Sequence, residues 1–146
     1  MEDIILRKAQ DSDSEFAYYV KKLAFGDYVN QVWGWDEAEQ QQLHQKRFVS
    51  QEYRVIQWSG IDVGILATVK DTDCLKLNQL FILPDYQHKG IGRACMMLVI
   101  DEAASSKSPV KLQVLKVNKK ALTFFQKLGF KKTGESDTHI LMERLS

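Results

Sequence analysis

The stretch PDYQHKGIGRACMMLV, Pro84 to Val99, constrains the fold most, because it sets two glycines one residue apart between a strand-like run and a helix-like apolar run. A strand that turns through glycine into a helix start presents the first four helix N–H groups, which lack internal partners, and the helix dipole adds a positive potential there. Small residues at Gly90 and Gly92 let an anion such as a phosphate come close. The competing reading is a tight turn with a close helix–sheet contact and no ligand, for which glycine serves equally well.

Neighbouring letters narrow the choice. A dinucleotide fingerprint needs a third glycine where the chain has Cys95, and an acid about twenty residues further on, where it has Lys111 and Leu112. A Walker-type loop ends in Gly-Lys-Ser/Thr, whereas Lys89 precedes its glycine and no such triplet occurs in the chain. What remains is a cluster of Gln87, His88, Lys89, Gly90, Ile91, Gly92 and Arg93, a backbone-plus-cation cradle suited to a pyrophosphate.

At 146 residues a single domain over 1–146 is expected. Ile4 to Arg7 reads as a strand, and DSDSEFAYYVKKLAF as a helix with Asp11 or Ser12 as N-cap and Glu15 three residues after Ser12, as in a capping box. In WDEAEQQQLHQKRFVS the acids Asp36, Glu37 and Glu39 come first and Lys46 and Arg47 last, the charge order that complements a helix dipole. Three strand-like runs between Glu52 and Leu83, divided at Ser59-Gly60 and Asp71-Thr72-Asp73, predict an antiparallel meander. Ile91 to Ala104 then reads as a helix, VKLQVL as a strand, NKKALTFFQKLG as a helix closed by Gly129, and FKKTGE and HILMERL as two last strands.

Twenty Lys+Arg against nineteen Asp+Glu leave a net charge of +1, so no global field favours a polyanion and no nucleic-acid partner is expected. Cys74 and Cys95 lie outside any C-x-x-C pair and read as reduced, structural thiols; no metal site is expected. The N-terminal MEDIILRKAQDSDSEF mixes acids and bases with no long apolar stretch, which predicts a cytoplasmic chain without a membrane partner.

ILPDYQHKGIGRACMML resembles the Q/R-x-x-G-x-G/A segment of the GCN5-related N-acetyltransferases (GNAT), and VLKVNKKALTFFQKLGFKKTGE resembles their Asn-led helix ending in Leu-Gly-Phe. Together the two stretches cover about the C-terminal half, at the family's spacing. The resemblance implies an α/β fold with a mixed, mostly antiparallel sheet flanked by about four helices, splayed between the two strands either side of the glycine-loop helix. It further implies that the loop amides of Gln87 to Arg93 bind the pyrophosphate of acetyl-CoA, the co-substrate. Backbone groups of Phe81, Ile82 and Leu83 would pair with the pantetheine arm, and a strand amide near Ile82 would serve the oxyanion. Asn118 falls where the family bonds the pantetheine region. Phe125 falls where many members carry a tyrosine that protonates the departing thiolate, and phenylalanine has no proton to give.

Direct transfer to an amine also needs a proton acceptor, because an alkylammonium has a pKa of about 10. Six residues before the loop's proline, where some members keep a glutamate, this chain has Asn78, followed by Gln79; each could hold a water. His88 reads as a phosphate neighbour, His44 as a solvated residue of a polar helix, and His139 as the start of the last strand. Trp33, Trp35 and Asp36 lie in VNQVWGWDEAE, between the first two helices, where the family usually builds the acceptor pocket. Packing against neighbouring helices is the competing role for both tryptophans. The expected activity is acetyl transfer to a small-molecule primary amine. The alternatives are transfer to a protein lysine or N-terminus, and a non-catalytic acyl-CoA-binding sensor, since a fold does not fix an activity. The late strands leave an edge that a second copy could cover as a homodimer.

Overall fold

Period-two alternation of β-branched and aromatic residues with polar ones favours strands, and the runs that show it pair with their sequence neighbours. The computed structural model describes residues 3–145. It places β1 (Ile4–Lys8), β2 (Glu52–Trp58), β3 (Ile61–Lys70) and β4 (Leu75–Ile82) side by side as an antiparallel meander. The β2–β3 hairpin turns through Ser59 (φ 49°) and Gly60 (φ 81°), the two positive φ values that a tight hairpin requires. After β4 come β5 (Val110–Leu115), β6 (Lys131–Glu135) and β7 (His139–Arg144), and the seven strands form one sheet in the order β1-β2-β3-β4-β5-β7-β6. This is the mixed, mostly antiparallel α/β architecture expected from the sequence.

Two helices cover each face. From one side α1 (Ser14–Trp33) and α2 (Glu37–Ser50) set Ala17, Val20 and Phe48 against Tyr53, Ile65 and Ala67. From the other, α3 (Ile91–Ser105) and α4 (Lys119–Lys127) set Ile91, Met96, Val99 and Phe125 against Leu75, Leu77, Leu112, Val114 and Met142. Both cysteines are free and buried, and burial pushes the Cys95 thiol up to about 12. No helix among the described residues is long and apolar enough to cross a membrane.

The first helix departs from its expected bounds at both ends. A 3₁₀ turn at Asp11–Asp13 precedes it, and the Gln10 N–H donates to Asp13 Oδ2 at 2.8 Å, where a Ser12–Glu15 box was expected. Asp13 is drawn into this role by Arg7 of β1, whose guanidinium grips both its oxygens at 2.8 Å and reaches Asp62 at 3.2 Å. At the other end the helix continues through VNQVW, so Trp33 is its last residue rather than part of a connection, and Gly34 (φ 79°) stops it. Gly26 does not break it, because the Trp35 ring packs there, 3.6 Å from where a Cβ would stand.

The feature that positions the site is how soon β4 leaves β5. Their parallel pairing spans only Leu75–Leu77 against Val110–Leu112. On the other side of β4 the register jumps from Ala67–Gln79 to Thr68–Leu77, so Asn78 is a bulge with no partner in β3. A bulge bends its strand and raises its twist. From Asn78 to Ile82 the edge of β4 that faced β5 is therefore unpaired. Across β3, Gly64 opposes Ile82, and a Cβ there would stand 2.4 Å from the Phe81 carbonyl oxygen.

Gly64→Ala should accordingly push that carbonyl aside and lower stability by about 1 to 3 kcal/mol, read as a reduced urea midpoint at unchanged slope. A second expectation concerns acid. Arg7, mainly through its hydrogen bonds, holds the Asp13 carboxyl below its ordinary value. A lowered folded-state pKa stabilises above the unfolded value of about 4 and is lost as pH falls through the folded value. Asp13→Asn should lower stability at pH 7 and flatten its decline below about pH 4, measured by urea unfolding across pH.

Candidate active site

The glycine-bearing turn builds a cradle at the start of α3. Gly90 is the N-cap, with φ 84°, and His88 before it has φ 63°. The N–H groups of Ile91, Gly92 and Arg93 have no acceptor within the helix; the first to find one is that of Ala94, 3.1 Å from the Gly90 carbonyl. These residues, with Gln87, His88 and Ile82, line a cavity of about 310 Å³ that Tyr86 and Phe124 complete. Lys89 is exposed outside that lining. Among the described residues no carboxylate lies within 4.0 Å of Lys89 or Arg93, so both cations remain available to an anion.

The two glycines have different reasons. Gly90 sits in the left-handed region, which suffices to explain it. Gly92 has an ordinary helical backbone, and a Cβ there would make only a normal 3.6 Å contact with Phe124. Protein packing does not demand glycine at that position. A group approaching from the cavity side would, and unpaired N–H groups with nearby cations suit a phosphate.

Along β4 the expected coenzyme contacts divide. The Phe81 side chain turns to the α1 face, its ring 4.8 Å from that of Phe25, while Ile82 turns to the α3 face. Gln87 Nε2 donates to the Ile82 carbonyl at 2.9 Å, tying the loop to the strand. Leu83 is less available: its N–H donates to Val63 O at 2.8 Å and its carbonyl accepts from Tyr86 N–H at 2.9 Å. Asn118 caps α4, its Oδ1 accepting from Ala121 N–H at 3.1 Å, which leaves the amide NH₂ as its free donor. Phe125 is buried between Phe124 and Phe130, with centroids 5.0 and 5.5 Å away, and Phe124 is the ring that reaches the cavity. Sequence reading missed Phe124 and Tyr86; the doubled Phe124-Phe125 was the available signal, since α4 can bury only one of two consecutive rings in the same direction.

On the α1 face the candidates scatter. Trp33 is 58% exposed and stands 6.0 Å from the His139 ring. Trp35 instead packs between helices, against Gly26 and Tyr18, and its indole N–H donates to Glu37 at 2.6 Å. That bond, with Lys22, holds the Glu37 carboxyl down at about 2, so it is a poor base. Asp36 is the N-cap of α2, accepting from Glu39 N–H at 3.0 Å. Asn78 is exposed, whereas Gln79 is buried, with its Nε2 donating to Tyr53 and Gln51. His44 also differs from expectation. It is buried rather than solvated, its Nε2 within 3.0 Å of Ser14 and its ring among Tyr18, Phe48 and Tyr53; burial lowers its pKa. Ser14 begins α1 and Tyr53 belongs to β2, contacts that the sequence around a lone histidine does not announce. No group of three or more His, Cys, Asp or Glu among the described residues could hold a metal.

The acetyltransferase (GNAT) domain family matches residues 21–139, and the chain belongs to that family. Membership makes it an acetyltransferase that uses acetyl-CoA. No curated protein sequence matches it significantly. Among solved structures it is similar to PaiA N-acetyltransferase from Thermoplasma acidophilum in complex with coenzyme A, at 16% identity over 99% of each chain and TM-score 0.81. It is also similar to a GNAT family acetyltransferase from Elizabethkingia anophelis with acetyl-CoA bound, at 14% identity over 100% of each chain and TM-score 0.77. A third likeness is to the ribosomal-protein-S18-alanine N-acetyltransferase from Escherichia coli, at 20% identity over 97% of this chain and 93% of that one, TM-score 0.75. At these identities the likenesses speak for the fold.

Gly92→Glu places a carboxylate among the groups that await an anion. Like-charge juxtaposition costs several kcal/mol, so acetyl-CoA should bind about a hundredfold more weakly or worse by calorimetric titration. The unfolding midpoint should hold, since the position has room on the protein side.

Proposed function

We propose that the chain transfers the acetyl group of acetyl-CoA to a primary amine of a small molecule by direct attack. The observation that carries this reading is Gly92, a glycine without a packing reason at the mouth of a cavity lined by free N–H groups and Arg93. Gln87 to Arg93 would hold the pyrophosphate, and the unpaired edge of β4 from Asn78 to Ile82 would receive the pantetheine arm, with Asn118 contributing its amide from α4. A main-chain N–H near Ile82 would face the oxyanion, a contact whose loss typically costs about a hundredfold or more in rate. Phe125 supplies no proton, but a thiol with a pKa of about 8.5 can depart as thiolate or be protonated by water. Positioning of the two reactants carries the remainder.

A second reading, transfer to a protein N-terminus, has one observation in its favour. Lys111 and Gln113 of β5 are exposed on the α1 face, so that side of the sheet beyond β4 is open enough for an extended peptide. The Escherichia coli neighbour is, by its name, a ribosomal-protein-S18-alanine N-acetyltransferase, which acts on a protein. The acceptor assay separates the two. Free coenzyme thiol should be released with at least one small amine from a panel and no faster with peptides. Peptide-only turnover would favour the second reading, and tight acetyl-CoA binding without turnover on any amine or peptide would leave a sensor.

A further inference from the structure

The proposed transfer needs the acceptor ammonium to lose a proton before attack, and several polar groups on and beside the sheet do not take one. Asn78 and Gln79 are amides and not basic, Glu37 is held at about 2, and His44 is enclosed by Ser14 and three aromatic rings. His139 differs from all of these. It pairs with Leu115 at the far end of β5, three residues beyond Leu112, where the β4–β5 ladder has already ended. Its neighbours Ile140 and Met142 join the core beneath α3, and alternation turns the His139 ring to the opposite face, beside Trp33.

The ring is also held. His139 Nδ1 lies 2.8 Å from Thr138 Oγ1, and the His139 N–H donates to Ser136 Oγ at 3.1 Å. Nε2 has no partner among the described residues. Together these fix the imidazole at the open side of the splay with one nitrogen free and an exposed indole next to it. We propose that His139 Nε2 accepts the proton of the acceptor ammonium, directly or through one water, on the face of the sheet opposite the pyrophosphate cradle. This rests on the amine-acetylation reading above.

The proton passes from the ammonium nitrogen to Nε2, and the freed amine pair forms the bond to the thioester carbonyl carbon. The carbon–sulfur bond breaks and the coenzyme leaves as thiolate, a second proton passes from the acylated nitrogen to that thiolate or to water to leave a neutral amide, and the imidazolium releases its own proton to water. The surroundings permit this at neutral pH. From the end of β5, Lys116 is paired with Glu135 of β6 at 2.7 Å, and Lys132 of β6 holds the same carboxylate at 2.5 Å. Asp137 lies in the turn before β7, and the neighbour from α1 is the uncharged Trp33. Burial lowers the His139 pKa, leaving the ring neutral above about 6.5, the ordinary histidine value.

The test is the pH profile of kcat/KM with the best amine of the panel, for the wild type, His139→Gln and His139→Ala, alongside acetyl-CoA titration. The wild type should show a one-proton acid limb with its midpoint at or below about 6.5. His139→Gln should lose that limb and about a hundredfold or more of kcat/KM at pH 7, with coenzyme affinity within about twofold. Added imidazole should restore part of the rate of His139→Ala. A variant that keeps the wild-type limb and rate, or whose loss is matched by lost coenzyme binding, overturns the assignment to His139 while leaving amine acetylation standing. A wild type that binds acetyl-CoA and acetylates no amine overturns both.

Discussion

Parallel strands hold each other through slanted, evenly spaced hydrogen bonds, and here one such ladder is cut short. β4 and β5 pair at Leu75–Leu77 and Val110–Leu112 and no further. The bulge at Asn78 falls on the next residue of β4, so the strand bends where the ladder ends. A continuous ladder would leave no strand edge to meet an extended ligand arm. Gly64 belongs to the same arrangement, since only a residue without Cβ lets β3 follow β4 so closely opposite Ile82.

The splay gives the sheet two chemically distinct sides. Toward α3 and α4 it opens on the cradle, with free N–H groups, Arg93 and the Phe124 ring. Toward α1 it opens on Trp33, His139 and the exposed residues of β5. On the proposed reading an acyl donor and an acceptor would approach from opposite faces and meet at the unpaired edge between them.

Local signals carried much of this in the sequence. Gly90, the Ser59-Gly60 turn and the charge order of α2 each follow from backbone conformation or a nearby dipole, and each stands where it was expected. The helix bounds of α1 did not, because Arg7 reaches across from β1 to claim Asp13 and Trp35 folds back onto Gly26. His44 was misread for the same reason: what encloses it comes from α1 and β2, far away in the chain. Asn78 could be located by its distance from Pro84, but its being a bulge depends on the register with β3, which no single stretch encodes. The ring facing the cavity, Phe124, was legible only as one of a pair.

The three-rung ladder also divides the sheet mechanically. β1 to β4 form one block laced by long antiparallel ladders, and β5, β7 and β6 form another; between them the main-chain bonding is brief, and α3 spans the join with side chains. The seam in which the reaction would take place is therefore held by side-chain packing more than by main-chain hydrogen bonds, and a change in that packing rather than in either block of strands would loosen the join.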